Sequence, residues 1–264
     1  VSGAAAPGTT LEQFLSSVQP ASDTAVIFCG HSLAGALSPT LALYLTEQKT
    51  LKAFDLTLVY PTAGATPGET HFASLFNSTF PALPSGWEPQ SLPYQSWNTM
   101  HWNDLDVVPH AWQKQDLQQI ANLYGHSPNF ATAATLSALQ SLALFDSSRS
   151  GAVYTRIQNS SLSGTLQHSD GGSAISVPPQ SLKDYVEQLF IQHVEMYSGI
   201  PADYPQPEVT GLILPQPLPK PAYPNLVPGV SSVTKAELIE RIISQIIGWI
   251  SSHALSALKP VLEA

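Results

Sequence analysis

A single cysteine, Cys29, stands in the 264 residues. That excludes an internal disulfide framework and a cysteine-rich zinc site, and leaves the redox compartment open. Charge is also scarce. Charged residues make up 11% of the chain, against about 25% in an average soluble domain. Ten basic residues face nineteen acidic ones, for a net charge of −9. Nucleic acids and anionic membrane surfaces need clustered positive charge, so both are poor partners for this chain. No apolar run approaches the roughly 18 residues of a membrane span, and the N-terminal residues have no signal-like pattern. The chain is read as soluble, with secretion preferred to a cytoplasmic location. Disorder is excluded in turn, because 43% of the residues are hydrophobic. The length suits one large domain or two small ones.

Proline is plentiful, with 23 residues, nearly twice the usual frequency of about 5%. Many of them fall between residues 201 and 230. That stretch is predicted to be an extended wrap, since proline denies it a regular helix or a central strand. After it, residues 231–264 read as an amphipathic helix. Leu238, Ile239, Ile242, Ile243, Ile246, Ile247 and Ile250 form its apolar face, which is expected to pack on the domain.

Ahead of the wrap, residues 1–200 alternate between strand and helix signals. Thr10 caps a short amphipathic helix over 10–19. Apolar runs at 24–29, 54–60 and 94–100 read as strands, and 33–48 and 68–77 as the helices between them. This alternation predicts a mostly parallel α/β sheet with helices on both faces. Pro39 falls in the early part of the helix over 33–48, where proline costs least. Past Asp106 the pattern turns helical, over 113–123, 130–145 and 182–197, with one strand-like run at 152–157.

The segment Cys29–Gly35, CGHSLAG, carries the most chemistry. A buried strand runs into a sharp turn holding Ser32, and a helix follows. Such a turn is strained and needs small neighbours, which Gly30, Ala34 and Gly35 supply. The helix N-terminus sets backbone N–H groups beside a developing oxyanion, and the Leu33 N–H is the natural first donor. A serine hydroxyl needs a histidine base, and the imidazole needs an acid to orient it. In the order Ser, acid, His, the base cannot be His31 or His71. His110, His126, His168, His193 and His253 remain. Asp104 and Asp106 follow a strand and are both candidates for the acid.

Four blocks resemble the class 3 lipase family, the fungal-type triacylglycerol lipases and their bacterial relatives. GHSLAG with ALSPTLALYL is similar to that family's elbow and helix, with Ala34 in place of the usual glycine. VYPTAGATPGETHFASLF is similar to its next strand, loop and helix. NDLDVVPHAW resembles its acid block and selects Asp106, and IQHVEMYSG resembles its histidine block and selects His193. The resemblance implies an α/β-hydrolase fold and a triad of Ser32 as nucleophile, His193 as base and Asp106 as acid. It also implies hydrolysis of carboxylic esters of lipids, without metal or organic cofactor. Tyr60, Pro61, Val107 and Val108 are the expected acyl-pocket lining. Phospholipase A or thioesterase activity, or an inactive binding module of the same family, are the alternative functions. The family places its elbow midway along the domain, whereas Ser32 comes early here. The chain is therefore expected to be the C-terminal piece of a longer polypeptide. An upstream segment, held as a separate chain or not represented, would supply further strands and the second oxyanion donor.

Overall fold

The computed structural model describes residues 9–20, 24–82, 96–167 and 177–197. The expected wrap over 201–230 and helix over 231–264 lie outside them. The described residues fall in two units. The first holds those through Leu123 together with Gln140–Thr165, and the second holds Tyr124–Leu139 with those from Leu166 onward.

The first unit is a parallel sheet. Helix α1 (Leu11–Ser17) leads into β1 (Ala25–His31), α2 (Leu33–Glu47), β2 (Leu56–Thr62), α3 (Thr70–Thr79) and β3 (Met100–Asn103). The short helix α4 (Lys114–Leu117) and α5 (Phe130–Arg149) follow, then β4 (Asn159–Leu162). The strands lie in the order β1-β2-β3-β4, each parallel to its neighbour. Thr10 starts α1 with a reciprocal capping box to Gln13.

Sequential strand order has a consequence for the helices. Right-handed crossovers that all step the same way across a sheet deliver their helices to the same face. Accordingly Phe28 and Val59 share one cluster with Ala42 and Leu43 of α2, Ala73 and Phe76 of α3, and Met100 of β3. Leu15 of α1 meets Val26, Leu45 and Leu51 on that face as well. The opposite face carries Leu58, Tyr60 and His101, where Tyr60 packs at 5.1 Å from the His101 ring and 5.7 Å from that of Trp97.

Three local expectations are corrected. The strand expected at 94–100 begins only at Met100, because Asn98 turns the chain with φ 57° and its Oδ1 accepts the Val59 N–H at 2.8 Å. Residues 152–157 run extended but make only an isolated bridge, Tyr154 with Glu69. The strand proper is Asn159–Leu162, a polar run the hydrophobic pattern passed over, and its outer place in the sheet asks for little apolar surface. Pro39 is the seventh residue of α2, past the first turn, and is buried. It removes the N–H that would bond the Gly35 carbonyl.

In the second unit Ser181 and Asp184 form a capping box at the start of α6 (Leu182–Phe190). Tyr185 packs at 4.8 Å from Tyr124. The Gln188 side-chain amide donates to the Gln167 carbonyl and its Oε1 accepts the Gln167 N–H. A wide π turn, Ile191–Glu195, extends α6, with the Met196 N–H reaching the Ile191 carbonyl.

Candidate active site

The bend at Ser32 is built from the glycines around it. β1 ends at His31 and α2 begins at Leu33. That leaves a single residue to reverse direction. Ser32 does so at φ 61°, ψ −124°, a conformation an L-residue adopts only under constraint. Its N–H donates to the Thr62 carbonyl at 3.1 Å, and its carbonyl accepts the Ala36 N–H at 3.2 Å. The first turn of α2 therefore lies directly on the ends of β1 and β2. A Cβ on Gly30 would sit 2.1 Å from the Ala34 carbonyl oxygen, and one on Gly35 would sit 2.2 Å from the Thr62 oxygen. Only hydrogens fit there. Ala34 is tolerated where glycine is usual because it faces outward, while Gly35 is buried and makes the close approach. The Ser32 side chain does not cap α2. The Leu33 N–H belongs to the first turn, which has no carbonyl of its own helix to bond.

The two acid candidates part company in the structure. The Asp104 carboxylate accepts the Gly164 N–H at 2.6 Å, and the Asp104 N–H donates to Leu162 at 2.9 Å. That aspartate fastens the end of β3 to the end of β4. Asp106 is fully buried. Its Oδ1 accepts the Val108 N–H at 3.0 Å, and its carbonyl accepts from His110 Nδ1 at 2.8 Å. A 3₁₀ turn, Val108–His110, follows directly. Ser32 and Asp106 thus both sit beyond the C-terminal ends of parallel strands in the first unit. One strand, β2, separates them. The strands they follow, β1 and β3, are two spacings apart in the sheet, roughly 10 Å.

The histidines divide by environment. His71 and His126 are exposed, and His168 and His253 lie outside the described residues. His110 is buried, and its Nδ1 meets a main-chain carbonyl where a triad histidine would meet a carboxylate. Burial pushes its pKa down, with the Asp106 carbonyl opposing. His193 lies in the π turn of the second unit and is half-buried. Such widened turns recur at functional positions.

Of the expected lining, Tyr60 packs between Trp97 and His101, Pro61 is buried, and Val107 and Val108 are half-buried beside Asp106. A small cavity of about 10 Å³ lies among Gly64, Thr66, Met100, Trp102, Pro109 and Arg156. It holds a water at most, and none of those four residues lines it. Sequence reasoning passed over Arg156 and Trp102, whose side chains stack 3.7 Å apart next to the acid loop. Fifty-four residues separate them, and no local spacing signals such a pair.

His101 supports a prediction on stability. It is buried on β3, its Nε2 lies 2.8 Å from the Ser96 carbonyl, and burial lowers its pKa against the opposing pull of that bond. The unfolded chain, titrating near pH 6.5, then binds more protons than the native one over the interval below that value. Stability should fall as pH drops there, by at most about 1.4 kcal/mol per pH unit for each such histidine. His110 acts in the same sense. Urea midpoints measured from pH 7.5 to 4.5 should decline less steeply for His101→Gln than for the wild type, and equal slopes would contradict this.

Comparison with known proteins follows the same lines. The family model described as Lipase (class 3) matches residues 6–115. Among solved structures, the crystal structure of M37 lipase is similar at 24% identity with a TM-score of 0.53. The match covers 73% of this chain and 50% of that one. The chain therefore spans about half the length of that structure. No curated protein matches. The parallel sheet and this structural likeness together give an α/β-hydrolase fold. Among the described residues no helix is long and apolar enough to cross a membrane, and no group of three His, Cys, Asp or Glu side chains is placed to hold a metal ion.

Proposed function

We propose that the chain hydrolyses carboxylic esters of lipids through Ser32, His193 and Asp106, a reading supported by the match of residues 6–115 to the class 3 lipase family model. The observation that carries this reading is the geometry of Ser32. It is a serine held at φ 61° between a strand end and a helix start, with glycines on both sides where no side chain fits. In this reading His193 takes the Ser32 proton as the hydroxyl adds to the acyl carbonyl. Asp106, buried and fixed by Val108, steadies the resulting imidazolium. The Leu33 N–H at the positive end of α2 receives the oxyanion. Collapse of the tetrahedral adduct releases the alcohol, which takes the proton from His193. Water then repeats both steps on the acyl-enzyme. Tyr60, Pro61, Val107 and Val108 are proposed to contact the acyl chain. No metal or organic cofactor enters this scheme.

Turnover of neutral p-nitrophenyl acyl esters of graded length, compared with phosphatidylcholine vesicles, tests the substrate class. Hydrolysis of the neutral esters in preference is the expected result. Preference for the phospholipid would move the assignment to a phospholipase, and hydrolysis of neither would contradict the enzymatic reading.

A further inference from the structure

Arg156 lies far in sequence from every residue of the proposed triad, yet its side chain ends on the turn that follows the acid. The guanidinium has three partners. Its Cζ lies 3.7 Å from the centre of the Trp102 ring. Its Nε is 3.0 Å from Asp116 Oδ2, in an ion pair whose side chains are 13% and 17% exposed. Its third contact is an Nη2–H donated to the Pro109 carbonyl at 2.8 Å. Burying a guanidinium costs several kcal/mol unless charge and hydrogen bonds compensate it. Asp116 supplies the charge, and the aromatic face favours a planar, weakly hydrated cation over an ammonium.

The third contact sets this arrangement apart from an ordinary buried ion pair. Pro109 is the centre of the 3₁₀ turn that follows Asp106. Within that turn the Val108 N–H holds Asp106 Oδ1, and His110 Nδ1 holds the Asp106 carbonyl. The His110 ring in turn stands edge-on to Trp102 at 5.4 Å and 83°. A shift of residues 108–110 would therefore carry the carboxylate with it. β3 anchors the start of this loop, and the guanidinium grips its end. Arg156 is itself fixed by the Gln113 side chain, whose Oε1 accepts its backbone N–H at 3.3 Å.

We infer that Arg156 is a positioning residue for Asp106: its guanidinium, held by Trp102 and Asp116, sets the turn that aims the acid's carboxylate. The inference rests on the reading of Asp106 as the acid of the triad.

The test uses the whole chain with p-nitrophenyl butyrate. In Arg156→Met combined with Asp116→Asn, no charge is left stranded and the Pro109 carbonyl loses its donor. A misplaced carboxylate should lower kcat about tenfold to a hundredfold, with KM within twofold of the wild type. The acidic limb of the kcat/KM profile should move to lower pH, because a poorly aimed carboxylate stabilises the imidazolium less. Arg156→Lys keeps the charge but cannot hold Asp116 and Pro109 together in one plane, so a smaller loss of kcat and a smaller shift are expected. If the double variant fails to fold, the lysine variant decides by the same two readouts. Folded variants with wild-type kcat and an unmoved acidic limb would overturn the inference. Asp106→Asn, run in parallel, separates the two ideas. Full activity in Asp106→Asn would remove the acid itself, whereas loss there with no loss in the Arg156 variants would remove only the positioning role.

Discussion

Replacing Ser32 with alanine is expected to lower kcat on neutral esters by at least about 10⁴-fold, since loss of the nucleophile leaves only binding and oxyanion stabilisation. The fold should survive the change. The Ser32 side chain does not cap α2, and alanine meets the same steric constraint as serine at φ 61°. Steady-state turnover, measured beside a thermal scan, checks both halves of the expectation. Wild-type turnover in a folded Ser32→Ala protein would contradict the nucleophile assignment. A variant that was inactive because it had unfolded would contradict the view that the side chain serves chemistry and the backbone serves structure.

Gly30→Ala should have the opposite character, striking structure first. The added methyl would meet the Ala34 carbonyl oxygen at 2.1 Å. That oxygen belongs to helix backbone and cannot rotate away, so α2 must lift from the strand ends. The expected cost is roughly 3 kcal/mol or more, at the severe end for a single substitution. Turnover would fall with it, because the lift displaces Ser32 and the Leu33 N–H. Gly151→Ala is the internal comparison. Gly151, unlike Gly30, has positive φ, 68°, and nothing lies within 4 Å of its missing Cβ. Only conformational strain is expected there, about 1 kcal/mol. Urea unfolding of the two variants should separate them by at least about 2 kcal/mol. Equal costs would mean that the close approach of α2 to β1 does not hold the bend together.

The elements that apolar patterning marks were legible in the sequence. β1, α2, β2 and α3 each fall within two residues or so of their expected bounds, because each buries a face against the sheet. The elbow was legible for a related reason, since a one-residue bend between a strand and a helix forces small residues into view, although β1 itself is only half-buried. What the sequence concealed is polar or distant. β4 reads as loop because Asn159, Ser160 and Ser161 need no burial in an outer strand. Local patterning does not separate Asp104 from Asp106, and only the family resemblance favours the second; the Gly164 N–H that Asp104 accepts comes from sixty residues away. The grip of Arg156 on Pro109 joins segments forty-seven residues apart. Contacts of that kind leave no periodicity, and only the assembled chain displays them.

The proposed function requires the Ser32 hydroxyl to be an activated nucleophile. The most direct measurement is labelling with a fluorophosphonate ester at neutral pH, followed by peptide mass spectrometry. Such a reagent phosphonylates a serine only when a neighbouring base removes its proton. The expected result is one adduct, on the peptide containing Ser32, whose formation slows by orders of magnitude in His193→Ala. An adduct on another serine, or labelling of Ser32 at an unchanged rate without His193, would contradict the account.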